Sequence, residues 1–305
     1  MRAVVGTNSW GSALYGKILR GSAVNEETLK ETIDQAVKKN LLVFDTAQDY
    51  GLGKGQKLIG KLCPEQIQIS AKFTPSTKHG YEFGQVRRSL LKDLQDFHRP
   101  YVDFYWLHLP NEIEENLSEM IQLYHEGKIK HIGVSNFNLE ECQKAKKILD
   151  AEQIPLYGVQ NHYSLLERTC EKNGLLRWCN ENAVTFWAWA VLEEGMLIPP
   201  RQNEKFTIMK FVFEQERDRL YPLYKEMYLI GQAHGMTIAQ IAMSYVASKG
   251  IIPICGCRKP YQITQLEQAA ETILSVSEIR RLEHITNLID VKILHTDLFR
   301  FAVRK

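Results

Sequence analysis

The chain has almost no net charge: among its 305 residues, 38 Lys and Arg face 36 Asp and Glu, leaving +2. A balance this even, mixed along the chain, excludes the broad basic footprint of a nucleic-acid or anionic-membrane binder and leaves room only for a local basic site. No apolar run approaches the length that spans a bilayer, and residues 1–10 lack the basic start and apolar stretch of a secretion signal. The expectation is a cytoplasmic protein with neither a nucleic-acid nor a membrane partner. The six cysteines, at 63, 142, 170, 179, 255 and 257, include no CxxC pair, and Cys255-x-Cys257 has no second half-site nearby. Reduced structural thiols are expected, not a disulfide framework. The nine histidines show no HExxH spacing, so no metal is called for. No Pro-, Gly- or Ser-rich linker divides the chain, and nothing in the sequence specifies an oligomeric state.

Two glycine-rich stretches look more informative than they are. GQKLIGKL (55–62) nearly spells a P-loop, but Leu62 stands where a magnesium-binding Ser or Thr is needed, and the stretch has helical periodicity. GLGKG (51–55) misplaces the third glycine of a dinucleotide fingerprint and lacks its strand-turn-helix context.

What the sequence does contain is alternation. Short apolar, β-branched segments, at 3–6, 41–45, 68–72, 102–108, 131–135, 157–160, 184–189 and 251–256, are separated by stretches of helical periodicity such as 26–39 and 86–97. Eight such units predict an α/β fold, a single-domain (β/α)8 TIM barrel spanning 1–305. The irregular stretch 199–221 reads as a loop able to lid the pocket, and 285–305 as a tail after the last barrel helix.

In this architecture the chemistry sits at the C-terminal ends of the strands. There the sequence places Asp45 with Tyr50 shortly after, then Lys72, His108, Ser135 with Asn136, and Gln160 with Asn161. Each alone has an ordinary explanation, as a helix cap, a snorkelling charge or a satisfied core histidine. A carboxylate, a phenol, an ammonium and an imidazole converging in one pocket instead form a proton-transfer device. Lys72 would ease proton release from the Tyr50 phenol, Asp45 would fix Lys72, and His108 would donate a hydrogen bond to a substrate oxygen.

The segments FDTAQDYG (44–51), SAKF (70–73), DFYWLHLP (103–110), EGKIKHIGVSNF (126–137), GVQNHYSLLER (158–168) and GIIPICGCRKPYQI (250–263) occur in an order and spacing that resemble the aldo-keto reductase family over nearly the whole chain. GTNSWG (6–11) looks like that family's first strand and turn. The resemblance implies reduction of an aldehyde or ketone to an alcohol, or the reverse oxidation, with hydride from nicotinamide C4 and Tyr50 as general acid. Asp45, Lys72 and His108 complete the tetrad. It further implies NADPH/NADP+ as cofactor, with NADH less favoured, bound through Gly6, Thr7, Ser135, Asn136, Gln160, Trp189, Gly256, Arg258 and Gln262. Trp189 would stack on the nicotinamide, and Arg258, in a GxR loop of the prokaryotic type, would hold the 2′-phosphate. The small carbonyl or alcohol substrate would meet Trp10, Tyr50 and His108.

The chain departs from the family pattern at three places. Gln265 and Leu266 replace a frequent Glu-Asn pair near the adenine, Ala190-Val191-Leu192 replaces a Ser-Pro-Leu turn, and Gly55-Gln56 replaces Ser-Glu. Two other classes stay open. One is a cofactor-binding sensor or regulatory protein of the same fold with little turnover; the other is a lyase or isomerase using Lys72 as a Schiff-base amine.

Overall fold

The computed structural model describes residues 1–11, 24–48, 50–76, 78–199, 216–291 and 293, without the side chains of 51, 52 and 217. Eight parallel strands close into a barrel in sequence order. They are β1 Val4–Gly6, β2 Val43–Asp45, β3 Gln68–Phe73, β4 Val102–Leu107, β5 Ile129–Ser135, β6 Leu156–His162, β7 Thr185–Trp189 and β8 Ile252–Gly256. All eight expected strands are present, with ends moved by one or two residues. The helices on the outside include α1 Glu26–Lys38, α2 Lys54–Leu62, α3 Gln85–Phe97 and α4 Ile113–His125. Further along come α5 Leu139–Ala151, α6 Thr169–Lys172, α7 Leu175–Glu181, α8 Arg217–His234, α9 Ile238–Ser248, α10 Pro260–Glu271 and α11 Val276–Leu288.

The local signals explain these elements. Asn25 caps α1 by accepting from Thr28 N at 2.8 Å, and Leu29, Ile33 and Ala36 form the buried stripe that covers the sheet. Asn138 and Glu141 form a reciprocal capping box at the start of α5, and Ser275 with Glu278 does the same for α11.

Two expectations are corrected. The loop expected over 199–221 gives way at its end, because α8 already begins at Arg217; residues 200–215 lie outside those described. The tail expected from 285 begins later, since α11 runs to Leu288, and most of the chain beyond that helix lies outside the described residues.

The core has two parts. The larger lies between sheet and helices, while Val4, Val43, Phe104, Trp106, Trp187 and Ile254 form a separate cluster filling the lumen. Trp106 and Trp187 are fully buried with ring centroids 4.8 Å apart. Gly133 makes space for this plug: a Cβ there would stand 2.4 Å from the Trp106 ring. The lumen is therefore closed below the C-terminal mouth, and the polar strand ends sit on a rigid aromatic floor.

Candidate active site

Register brings the site together before any side chain is considered. In the ladders, Asp45 lies beside Gly6 and Ser70, Lys72 beside Trp106, Ser135 beside Gln160, and His162 beside Trp189. Because alternate residues of a strand share a face, Ser70 accompanies Lys72 into the lumen and His162 accompanies Gln160.

Lys72 is 1% exposed and Asp45 2%. The Lys72 ammonium lies 2.5 Å from Asp45 Oδ2, donates to Thr46 O at 3.0 Å, and reaches the Tyr50 hydroxyl at 3.4 Å. The other carboxylate oxygen of Asp45 accepts from Ser70 Oγ at 2.7 Å and from Gln160 Nε2 at 3.0 Å. Ser70 Oγ in turn accepts from Trp106 Nε1 at 2.8 Å, tying the ion pair to the plug. Hydrogen bonds on both carboxylate oxygens and three on the ammonium are what a pair so deeply buried requires.

Burial alone would pull the Lys72 ammonium down, but the Asp45 carboxylate and the Tyr50 phenol beside it more than offset this, and it stands above its ordinary 10.5. An amine held as a cation is not a nucleophile, so this environment opposes Schiff-base chemistry at Lys72.

Tyr50 opens a short 3₁₀ turn, Tyr50–Gly53, that leads from the loop after β2 into α2. Its phenol is held above its ordinary 10.0, because burial outweighs the Lys72 cation and the charges of Asp45 and Glu194 add to the rise. Lys72 acts in the expected direction, easing proton release, but in the resting site it limits the rise without reversing it. His108 falls one residue past the end of β4, its N–H still bonded to Phe73 O at 2.9 Å. Its ring is pushed down to about 3, by burial first and then by Lys72, so it is neutral at ordinary pH. Thr74 Oγ1 sits 2.8 Å from His108 Nδ1, which leaves Nε2 as the ring nitrogen for a substrate oxygen.

The expected nicotinamide set also gathers. Ser135 Oγ donates to Gln160 O at 2.7 Å; Asn136, in a left-handed conformation at φ +62°, donates through Nδ2 to His108 O and accepts from Trp189 Nε1 at 3.2 Å. Trp189 is half-buried and stacks at 4.5 Å on His162. This neutral set of amides and a hydroxyl suits a carboxamide, which needs both donors and acceptors.

Across the mouth, Gly6 and Gly256 are register neighbours, Thr7 Oγ1 donates to Asp45 O at 2.9 Å, and Arg258 lies just before the N-terminus of α10. A guanidinium at that place suits a phosphate. Gln262 is turned inward instead, its Oε1 accepting from the N–H groups of Arg258 and Lys259 at 2.8 and 3.0 Å. That carbonyl shapes the loop and is not free for a cofactor. Trp10, expected at the substrate, is fully buried: its ring packs edge-on against Phe44 and its Nε1 donates to Cys257 O at 2.8 Å. It joins the loops after β1 and β8 and has no surface to offer a substrate.

Several site residues escaped the sequence reading. Ser70 and His162 stand two positions from Lys72 and Gln160 on their strands, so strand alternation put them within reach. Thr74 supports His108 from just beyond β3. Glu193 carries no such signal: it is 2% exposed, binds Ser164 Oγ and His162 Nε2 through Oε1, and leaves Oε2 without a partner. It belongs to a turn in which Ala190, Glu193 and Glu194 are all left-handed, with φ of 55°, 47° and 54°. Such conformations cost non-glycine residues about 1 kcal/mol or more each, and they concentrate at functional sites.

The Aldo/keto reductase family model matches residues 3–287. Over 288 residues, 87% of this chain and 84% of that protein, the chain is 26% identical to the aldo-keto reductase YhdN of Bacillus subtilis (strain 168). Among solved structures, a thermostable aldo-keto reductase in complex with the inhibitor epalrestat is 26% identical with a TM-score of 0.73, covering 93% of this chain and 95% of that one. An aldo-keto reductase from Klebsiella pneumoniae in complex with NADPH shares the fold at 21% identity, with a TM-score of 0.73 and coverage of 95% on both sides.

Proposed function

Since the chain belongs to the aldo/keto reductase family, we propose that it reduces a small aldehyde or ketone with NADPH, using Tyr50 as the general acid and working from the cytoplasm. The observation that carries this reading is the Asp45–Lys72–Tyr50 chain, with Lys72 within 2.5 Å of one partner and 3.4 Å of the other. Family membership supports NADP(H), and Arg258 beside the α10 N-terminus supports the phosphorylated form over NADH. The six free cysteines fit a reducing compartment.

The residues divide the labour. Ser135, Asn136 and Gln160 would hold the nicotinamide carboxamide, the Trp189 indole would lie beside the ring, and Arg258 would take the 2′-phosphate. Bound NADPH supplies the hydride. The Tyr50 hydroxyl gives its proton to the carbonyl oxygen as negative charge develops there, and Lys72 stabilises the phenolate left behind. Asp45 keeps Lys72 in place and charged. His108, neutral with Nδ1 accepting from Thr74, presents Nε2–H to the same oxygen and orients the substrate.

Tyr50→Phe tests the assignment, because it removes the transferable proton and little else. Reduction across a panel of small aldehydes should fall by about 10²–10⁴-fold while NADPH affinity, followed by fluorescence titration, stays close to the parent's. Turnover at the parental rate would end the assignment of Tyr50. Binding without turnover in the parent itself would favour a sensor.

A further inference from the structure

The tetrad leaves unexplained how the Tyr50 turn is held. The turn is short, and among the described residues the backbone of the loop before it meets the barrel through Thr46, whose N donates to Ser70 O and whose O accepts from Lys72. A separate polar group lies on its far side. Asp93 of α3 is fully buried, and its Oδ1 accepts from Gln48 Nε2 at 2.8 Å and from Gln56 Nε2 at 2.8 Å. Gln48 stands just before Tyr50, and Gln56 lies on the first turn of α2 just after it. The Gln48 amide also reaches Ser89 Oγ at 2.6 Å and Ser89 O at 3.2 Å, and Ser89 Oγ lies 3.3 Å from the Tyr105 hydroxyl on β4.

From this we infer that Asp93 is a positioning residue for Tyr50, a single carboxylate oxygen clamping the chain on both sides of the general acid. The inference rests on the reductase reading of the site.

Three further observations support it. A Cβ at Gly60 would stand 2.1 Å from Asp96 O, so α2 and α3 touch backbone to backbone one turn from Gln56 and Asp93, and the clamp spans a gap already closed by packing. Burying a carboxyl group is costly, and its retention here points to a role beyond stability. The arrangement is also incomplete as a stabilising network, since Asp93 Oδ2 and Gln56 Oε1 are both buried acceptors without a donor at hydrogen-bond geometry. What the carboxylate does secure is geometry. Displacing a general acid by about 1 Å can lower a rate by about a hundredfold without touching the affinity for either substrate.

The test uses the full-length protein, NADPH and a panel of small aldehydes that includes 4-nitrobenzaldehyde. Asp93→Ala should lower kcat by about tenfold or more while the NADPH dissociation constant and the KM stay within about threefold. Asp93→Asn, which keeps an acceptor in the place of Oδ1, should restore kcat to within about threefold of the parent. A folded Asp93→Ala protein with parental kcat overturns the inference. So does a loss shared equally by NADPH binding, or an Asn variant as impaired as the Ala one. Should Asp93→Ala fail to fold, Gln48→Ala cuts only the arm before Tyr50 and is judged by the same split. The Tyr50→Phe control keeps the two claims apart. If it stays active, the reductase assignment fails; if it is inactive while Asp93→Ala behaves as the parent, only the clamp fails.

Discussion

Removing the Asp45 carboxylate would strand the Lys72 ammonium in a place where neither side chain is more than 3% exposed. A buried charge deprived of its partner costs about 3–5 kcal/mol. Asp45→Ala is therefore expected to lower the unfolding free energy measured in urea by that amount, and to bring the Lys72 ammonium down, because burial would then be opposed by Tyr50 alone. The same residues set the pH behaviour of the reaction. On the proposed assignment, reduction needs the protonated phenol, which burial holds above 10.0, and a neutral His108, which gains a proton only near about 3. The kcat for reduction should be level between about pH 5 and pH 9, falling only as the phenol ionises above its ordinary value. Oxidation of the alcohol needs the phenolate and should rise with pH over the alkaline range. A bell centred near neutrality in the reductive direction would place another group in the proton path.

At the scale of elements, the proposed recognition of the cofactor rests on the connections after the strands. Arg258 extends from the loop between β8 and α10, whose path is set by Gln262 accepting two backbone N–H groups. Arg258→Ala should raise the NADPH dissociation constant by about ten- to a hundredfold, the worth of a charge-assisted bidentate contact, and leave that for NADH unchanged. Equal loss for both dinucleotides would mean that Arg258 shapes the loop and does not read the phosphate. The α2–α3 contact makes its own prediction. Asp93 is raised from 3.8 to about 7, mainly by burial, against the donors Gln48 and Gln56 and the nearby charge of Lys92. The folded chain thus keeps a proton that the unfolded chain releases, and this stabilisation is lost as pH climbs through about 7. Asp93→Asn, which has no proton to lose, should stabilise the protein relative to the parent more at about pH 8 than at about pH 5 in chemical denaturation.

The elements themselves were legible because each strand is a short β-branched run bounded by polar residues, and α1 and α3 show their stripes within a residue of their true ends. Asp45, Tyr50, Lys72 and His108 were legible as residues at strand ends. What the pattern could not contain was the balance of forces between them: that burial would outweigh a cation at Tyr50, that Trp10 would be consumed by packing, or that three left-handed residues would form the turn with Glu193. These depend on distances across the barrel, which no local periodicity encodes.

For the molecule as a whole, the aromatic plug links stability to catalysis. Gly133→Ala would press a methyl against the Trp106 ring, where the Cβ position is only 2.4 Å away. Overpacking of this kind costs about 1–3 kcal/mol. Because Trp106 Nε1 holds Ser70, and Ser70 holds Asp45, the variant should lose kcat as well as melting temperature. A drop in melting temperature alone would show that the lumen relaxes without disturbing the mouth. The plug also governs traffic. With Phe104, Trp106 and Trp187 filling the floor, the barrel axis offers no route to Asp45 from below among the described residues. Should two ligands share that dead end, the one that settles deeper is expected to arrive first and depart last, which product inhibition kinetics would reveal.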